Sequence, residues 1–237
     1  MAEPQWRVRQ STRARRLSVR VFRDGVVEIV VPPRTGPRQV GDFVQRHRAW
    51  IDRHLRGNRL APPEPFPPQA LQLAALGERW ECVPDPDRTG VRALRQATAG
   101  ATGALRIGTL PATDRVRRAL LNWLIQHARA AFAPLLAAEA QSMGYEVRRL
   151  QVRRQRGRWG SCSSRGTISL NCCLLFQEPA VVRYLLVHEL SHLAHHNHSH
   201  RFWEHVARHE PRWRELDRQL RRGWEAVPAW VLAVPAR

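Results

Sequence analysis

The sequence predicts an α+β fold, with a β-rich N-terminal region (residues 1–110) packed on a largely helical C-terminal domain (residues 111–237). Alternation of apolar and polar residues, which is typical of half-buried strands, dominates residues 6–31. The longest stretches with helical spacing of apolar residues follow residue 113. Because this change of character falls near Pro111, we expect the boundary between the two parts there.

The N-terminal region is predicted to begin with strands. Leu17, Val19 and Val21 alternate with polar residues, Asp24-Gly25 supplies a turn, and Pro32-Pro33 ends the next apolar run. Residues 40–55 carry the apolar stripe of a helix, and the proline-rich residues 61–68 are predicted to be a stiff connector. Short apolar runs separated by turn residues predict small strands over residues 71–110.

The C-terminal domain is predicted to open on a long helix over residues 114–143, with Thr113 or Asp114 as N-cap and Gly144 beyond its end. Pro134 is expected to kink or divide this helix, because it lacks the backbone N–H. Residues 150–176 return to a strand-like pattern interrupted by glycines. Further helical stretches are predicted over residues 181–196 and 201–222, and Pro211 is expected to break or restart the second of them.

The composition and charge limit the classes of protein to which this chain can belong. The formal net charge is +19, and all 39 basic side chains are arginine, which predicts attraction to polyanions, although a general bias toward arginine explains it equally well. A hydrophobic fraction of 43% excludes wholesale disorder. No apolar run reaches about 18 residues, so no membrane insertion is expected. Four cysteines without CxxC spacing, and no apolar leader, favour the reducing cytoplasm.

One motif carries the chemistry. His188-Glu189-Leu190-Ser191-His192 is an HExxH sequence within a predicted helix. Residues four apart on a helix differ by about 40° in direction and 6 Å in height, so both imidazoles can reach one zinc ion. Glu189 is rotated by about 100° from His188 and lies beside the ion, where it can act as a general base.

A catalytic zinc site needs a third protein ligand. His198 is the favoured residue, because Asn197 can provide the left-handed turn that ends the helix and returns the chain to the metal. His195 is the main alternative, but three ligands on one straight helix would spread over about 10 Å. Three carboxylates also remain as alternatives for the third ligand: Glu204, Glu210 and Glu215.

Four segments follow one another in a characteristic order: RWGSCSS at 158–164, ISLN at 168–171, VHELSHL at 187–193 and NHSHRFW at 197–203. Together with RRLSVRV at 15–21, they resemble the YgjP-like metal-dependent hydrolases, which are related to the SprT-like and M48 zinc metallopeptidases. The resemblance implies a zincin-like catalytic domain, with His188, His192 and His198 as zinc ligands and Glu189 as general base.

The surroundings of the motif supply candidate substrate contacts. The strand over residues 167–176 is a candidate edge for an extended peptide, although a fully paired interior strand fits the pattern equally well. If the arginine-rich stretch before it is a strand, Arg154, Arg156 and Arg158 share one face, which could capture phosphates or could simply be solvated. The candidate substrate-binding residues are Arg158, Trp159, Asn171 and His200.

Three functions are compatible with these features. The first is a zinc-dependent metallopeptidase that attacks peptide bonds of a peptide or protein substrate with an activated water and Glu189 as general base. The second is a metal-dependent nucleoside triphosphate pyrophosphohydrolase that uses the same centre and arginines for the phosphates. The third is a non-catalytic nucleic-acid-binding protein with a structural metal, against which Glu189 argues, since a structural zinc needs no general base.

Overall fold

The computed structural model describes residues 5–12, 14–22, 25–57, 65–87, 90–95, 102–108 and 113–233. The chain divides into two compact units, Met1–Glu64 and Pro65–Arg237, so the division lies at the proline-rich segment and not near Pro111, where the sequence suggested it. The reason is that apolar residues from strands before residue 110, such as Leu73 and Leu105, belong to the same core as the helices that follow. The α+β class is confirmed, because strands predominate before residue 110 and helices after it.

The smaller unit contains a three-stranded sheet and two helices. These are β1 (Gln5–Gln10), β2 (Ser18–Val21), β3 (Val26–Val31), α1 (Pro37–Arg46) and α2 (Arg48–Gly57). The sheet order is β1-β3-β2, with β1 parallel and β2 antiparallel to β3. Alternate residues of β3 pack on Ile51 of α2. The helix predicted over residues 40–55 is therefore two helices, since α1 ends at Arg46 with His47 as its C-cap and α2 begins at Arg48.

The larger unit begins with a four-stranded sheet in the order β4-β5-β7-β6. Its strands are β4 (Ala70–Leu73), β5 (Glu78–Asp85), β6 (Val91–Arg95) and β7 (Thr102–Gly108). The long helix α3 (Thr113–Ser142) follows, and it continues through Pro134 without being divided. Gly144 adopts a φ of 73° just beyond its end, as the sequence predicts. His127 of α3 contacts the buried Glu78, which also accepts a hydrogen bond from the Trp80 indole.

A second, three-stranded sheet leads to the remaining helices. Its strands are β8 (Arg149–Arg153), β9 (Gly160–Cys162) and β10 (Thr167–Asn171), and the order is β8-β10-β9. A 3-10 turn over Cys172–Phe176 is fully buried and connects β10 to the helical part. The helices are α4 (Pro179–Ser191), α5 (His200–His209), α6 (Trp213–Arg222) and α7 (Ala229–Ala233). Within the described residues, no helix combines the length and the apolar character required to cross a membrane.

Candidate metal centre

The helix that carries the HExxH motif is α4. Glu178 is its N-cap with extended backbone, and Pro179 occupies the first helical position, where a missing N–H costs nothing. Most of its side chains are buried, so packing of the apolar run before His188 fixes the helix in the core. His188 lies in its last turn and His192 is its C-cap, and the two imidazoles therefore lie one turn apart.

The chain turns back immediately after α4 and brings a third imidazole to the first two. Backbone hydrogen bonds join the amide of His195 to the Ser191 carbonyl, and α5 starts at His200. His198 lies in this return segment, and its Nε2 is 3.1 Å from Nε2 of His188. One ligand atom of each of His188, His192 and His198 lies within 4.8 Å of the others.

The donor atoms fit a divalent transition metal such as zinc. Two nitrogens on one tetrahedral zinc are separated by about 3.3 Å, given bonds of about 2.0–2.1 Å, which is close to the observed separation of the His188 and His198 nitrogens. Nδ1 of His192 is 3.1 Å from the carbonyl oxygen of His195, so Nδ1–H donates and Nε2 keeps a free lone pair. The pKa of His188 falls to about 3 through burial and the nearby imidazoles, and burial also lowers the pKa of His192. Both are therefore neutral ligands at pH 7.

The alternative third ligands are occupied elsewhere. The His195 ring packs against His205, with centroids 5.6 Å apart. Glu204 pairs with His200 at 3.3 Å, and Glu210 accepts hydrogen bonds from the side chain of Arg183 and the backbone of Arg212. Glu215 accepts a hydrogen bond from Gln219. Among the candidates from the sequence, only His198 joins the other two imidazoles in the described part of the chain.

Glu189 is buried next to the three imidazoles. Only 4% of its surface is exposed, and its Oε2 has no hydrogen-bond partner within the described residues. Burial raises the pKa of Glu189 to about 8, while the positive charge of Arg158 opposes this shift. A carboxylate with a pKa near neutrality and an open lone pair can accept a proton and release it again.

The strand beside Glu189 is one of the two edge strands of the second sheet. A Cβ built on Gly160 of β9 would lie 2.5 Å from Oε1 of Glu189, so the two residues are in direct contact. Among the described strands, β9 and β8 each pair only with β10, whereas β10 is paired on both sides. The strand within residues 167–176 is therefore the paired interior strand and not the edge, and β9 is the edge strand beside Glu189.

Two of the four candidate substrate-binding residues belong to the interior. Asn171 is fully buried: its Nδ2 donates to the carbonyls of Gln155 and Arg158, and its Oδ1 accepts from the amide of Cys173. The Trp159 ring packs 4.1 Å from Trp224 between centroids. A direct contact of Asn171 or Trp159 with a substrate does not fit these environments. Their role is to hold the loop that precedes β9.

The other two candidates are on the surface. Arg158 is exposed, and its charge acts on Glu189. The His200 side chain is 88% exposed and is paired only with Glu204 among the contacts described. Of the four, Arg158 is thus the residue that is exposed to solvent and whose charge lowers the pKa of Glu189.

The arginine-rich stretch does not form the common face that a continuous strand would give. β8 ends at Arg153, and Arg154 turns inward, where it donates to the carbonyls of Val231 and Leu232. Because Arg154 is buried and Arg158 is exposed, they cannot share a solvent-facing phosphate site. The expectation of such a face is therefore wrong.

Sequence reasoning missed two contacts that side chains of α4 make with other elements. The first contact is that of Gly160 with Glu189. The glycine of the RWGSC segment indicates that a side chain is not tolerated at this position, but only the fold shows that Glu189 is the neighbour. Asp217 of α6 accepts a hydrogen bond from Tyr184, one turn before His188, and no spacing in the sequence connects these helices.

Three converging imidazoles beside a buried carboxylate, on a helix that packs against a small sheet, are the arrangement of a metal-dependent hydrolase. The chain belongs to the YgjP-like family: residues 15–223 match its metallopeptidase domain. The predicted family is thereby confirmed, and a metal-dependent peptidase is established at the level of the family.

Two further comparisons complete this result. The chain is similar to the metallopeptidase zymogen of Pyrococcus abyssi abylysin, for which a crystal structure exists, with 30% sequence identity over 38% of this chain and 91% of that chain. The TM-score is 0.35, too low for an argument from the superposition. No protein of curated function matches the sequence significantly.

Proposed function

We propose that this protein is a zinc-dependent peptidase in which His188, His192 and His198 hold the ion and Glu189 is the general base. One observation carries the proposal: three imidazoles converge next to a buried carboxylate with an open lone pair. Three histidines leave a tetrahedral ion one open position, which is typical of catalytic and not structural zinc. When bound, zinc supplies Lewis acidity to the scissile carbonyl and to water.

Glu189 moves the proton. Its carboxylate removes a proton from the attacking water and passes it to the amine of the departing peptide. Burial supports this role, because it raises the pKa of Glu189. A higher pKa stabilises the protonated carboxyl group that later donates its proton to the amine. The positive charge of Arg158 opposes this rise and so favours the ionised form that accepts a proton.

The edge strand β9 is our candidate for the substrate-binding element. Backbone groups at a free sheet edge can pair with an extended peptide, and β9 lies at the edge beside Glu189. Gly160 has no side chain, so both the Glu189 carboxylate and a peptide backbone can approach the same point. This favours peptides or unfolded proteins as substrates.

The test compares the wild type with Glu189→Gln and His198→Ala, and uses His54→Ala as control because that imidazole is exposed on α2. Each purified protein is loaded with zinc and incubated with an unfolded protein, and new amino groups are measured. We expect Glu189→Gln to keep zinc and lose at least 100-fold in rate, a size typical of general-base loss. His198→Ala should lose both zinc and activity, and His54→Ala neither.

Two results would contradict the proposal. One is cleavage by Glu189→Gln at the wild-type rate, and the other is undiminished zinc in His198→Ala. The same samples are assayed for pyrophosphate release from nucleoside triphosphates, which would indicate the alternative hydrolase if it occurred without peptide cleavage.

A further inference from the structure

His198 is the imidazole of the proposed centre that lies outside the metal helix. His188 belongs to the last turn of α4 and His192 is its C-cap, whereas His198 lies in the return segment before α5 and is exposed. Nε2 of His198 is 3.1 Å from Nε2 of His188. This contact does not orient the ring once both nitrogens direct their lone pairs at an ion. An exposed imidazole in a loop needs other contacts to keep its direction.

Two aromatic side chains of α5 form a corner around the His198 ring. The imidazole is stacked with the Trp203 indole, with centroids 5.5 Å apart and an angle of 23° between the planes. It meets Phe202 edge to face, with centroids 4.8 Å apart and an angle of 82°. The Phe202 and Trp203 rings are themselves nearly perpendicular, at 87°. Trp203 therefore sets the plane of the imidazole, and Phe202 limits its displacement within that plane.

Trp203 is in turn supported by α6. Its indole is stacked with that of Trp213, with centroids 4.3 Å apart and an angle of 15° between the planes. The guanidinium of Arg214 lies 4.6 Å from the centroid of the Trp213 ring, which is a cation–π contact. Rings from the return segment, α5 and α6 thus follow one another nearly in parallel. Trp203 would have to displace Trp213 in order to tilt away from His198.

Phe202 and Trp203 differ in how much of the centre they contact. Phe202 is fully buried, and its ring centroid lies 5.0, 4.6 and 4.8 Å from those of His188, His192 and His198. Trp203 is only partly buried, and it stacks with His198 alone of the three, since its plane is tilted by 60° from that of His188. A substitution of Trp203 therefore tests the orientation of His198 without emptying the core.

We infer that Trp203 is a positioning residue of the metal centre: supported by Trp213, its indole keeps the exposed His198 imidazole in the orientation in which it joins His188 and His192. The inference rests on the proposed function, because it takes His198 as the third ligand. A ligand that is oriented before the metal binds loses less conformational freedom on binding. Loss of the indole should thus weaken the binding of zinc.

The experiment measures the zinc affinity of Trp203→Leu and Trp203→Phe by competition with a chromogenic chelator. Leucine is apolar but has no ring face, whereas phenylalanine keeps a flat face for the imidazole. We expect Trp203→Leu to bind zinc about tenfold more weakly than the wild type, a size typical of losing a residue that orients a ligand. Trp203→Phe should stay within about threefold, because the stacked contact is retained.

The matched control is Trp50→Leu. Trp50 is exposed on α2 and is stacked with His54, with centroids 3.9 Å apart and an angle of 29°. The control therefore removes a second contact between an indole and an imidazole, one that does not involve a proposed ligand. Its zinc affinity should stay within about twofold of the wild type, as is usual for surface substitutions.

Cobalt(II) in place of zinc gives a second readout, because its visible absorption depends on the number and arrangement of its ligands. We expect the spectrum of cobalt-loaded Trp203→Leu to differ from that of the wild type, since a misdirected His198 changes both. Trp203→Phe and Trp50→Leu should keep the wild-type spectrum. A residue that only fills space would change the stability of the metal-free protein and leave the spectrum of the folded, loaded protein unchanged.

Three results would overturn the inference. They are a zinc affinity of folded Trp203→Leu equal to that of Trp50→Leu, an unchanged cobalt spectrum of Trp203→Leu, and an equal loss of affinity in Trp203→Phe and Trp203→Leu. If Trp203→Leu does not fold, Trp213→Leu takes its place, because it removes the support of the indole. We expect a severalfold weakening of zinc binding in that variant, and unchanged affinity would overturn the inference.

These readouts separate the inference from the proposed function. A protein whose zinc affinity depends on Trp203 but which cleaves no peptide would refute the peptidase and leave the role of Trp203 intact. A peptidase that binds zinc equally well in the wild type and in Trp203→Leu would do the reverse.

Discussion

Gly160 lies directly against Glu189: a side chain on this glycine would begin 2.5 Å from Oε1 of the carboxylate. Strand β9 and the Glu189 carboxylate are therefore packed without space for even a methyl group between them. If Glu189 has the proposed role, a side chain at position 160 should impair it, and this contact can be tested directly.

Gly160→Ala is expected to displace Glu189 and reduce kcat/KM at least tenfold, because a misplaced base loses most of its benefit. Overpacking should also lower the free energy of unfolding by about 1–3 kcal/mol. Zinc content should not change, since the three atoms nearest to the added methyl group all belong to Glu189 and none to an imidazole. Peptidase kinetics and urea denaturation check these outcomes.

The control for this substitution is Gly157→Ala in the same loop, where an added Cβ meets nothing within 4 Å. It should retain wild-type kinetics. Equal activity of the two variants would show that the packing of Gly160 on Glu189 has no role in catalysis.

Glu189 should give the metal-free protein a characteristic pH dependence of stability. Burial raises its pKa from 4.5 to about 8, so the folded state binds the proton more tightly than the unfolded state. The free energy of unfolding should then fall as pH rises from 4.5 toward 8, by at most about 1.4 kcal/mol per pH unit. Urea denaturation of chelator-treated protein at several pH values measures this slope.

His188 contributes the opposite slope at lower pH, because its pKa falls from 6.5 to about 3 and stability is lost as pH decreases below 6.5.

Subtracting the curve of Glu189→Gln from that of the wild type isolates the contribution of the Glu189 carboxylate. A difference that does not vary between pH 5 and 8 would mean that Glu189 has an ordinary pKa in the folded protein.

Asn171 should behave as a scaffold residue. Asn171→Ala removes two donated bonds and one accepted bond at a fully buried site, and we expect a loss of about 2–4 kcal/mol in the free energy of unfolding. Denaturant titration measures the loss. An increase in KM without loss of stability would instead restore the prediction that Asn171 contacts substrate.

Arg154 is expected to stabilise the end of the chain. Arg154→Gln should lower the free energy of unfolding by about 1–3 kcal/mol, because it leaves the buried carbonyls of Val231 and Leu232 without their donor. The exposed Arg158→Gln is the control, and its stability should change by less than about 0.5 kcal/mol. Equal melting curves for the two variants would contradict the anchoring role of Arg154.

Much of the candidate site could be predicted from local spacing. The HExxH motif placed His188 and His192 one turn apart and Glu189 beside them, since helix geometry is set within a few residues. The end of α3 before Gly144 followed from the same kind of local rule. Roles in catalysis and metal binding stay predictions until the variants above are measured.

Long-range packing decided the remainder. His198 joined the site, and His195 did not, because of the return of the chain between α4 and α5. Asn171 and Arg154, which the sequence suggested as residues that contact ligands, are buried and bond to the backbone. Strand β10 lies in the interior of its sheet because it is paired on both sides.

The sequence by itself determined the family, the α+β class and the helix that carries the two histidines and the glutamate, because these depend on motif order, periodicity and helix geometry. Only the tertiary structure decided which imidazole completes the set, which strands lie at the sheet edges, and that Gly160 lies against Glu189. These depend on contacts between residues far apart in the chain, for which neighbouring residues carry no periodic signal.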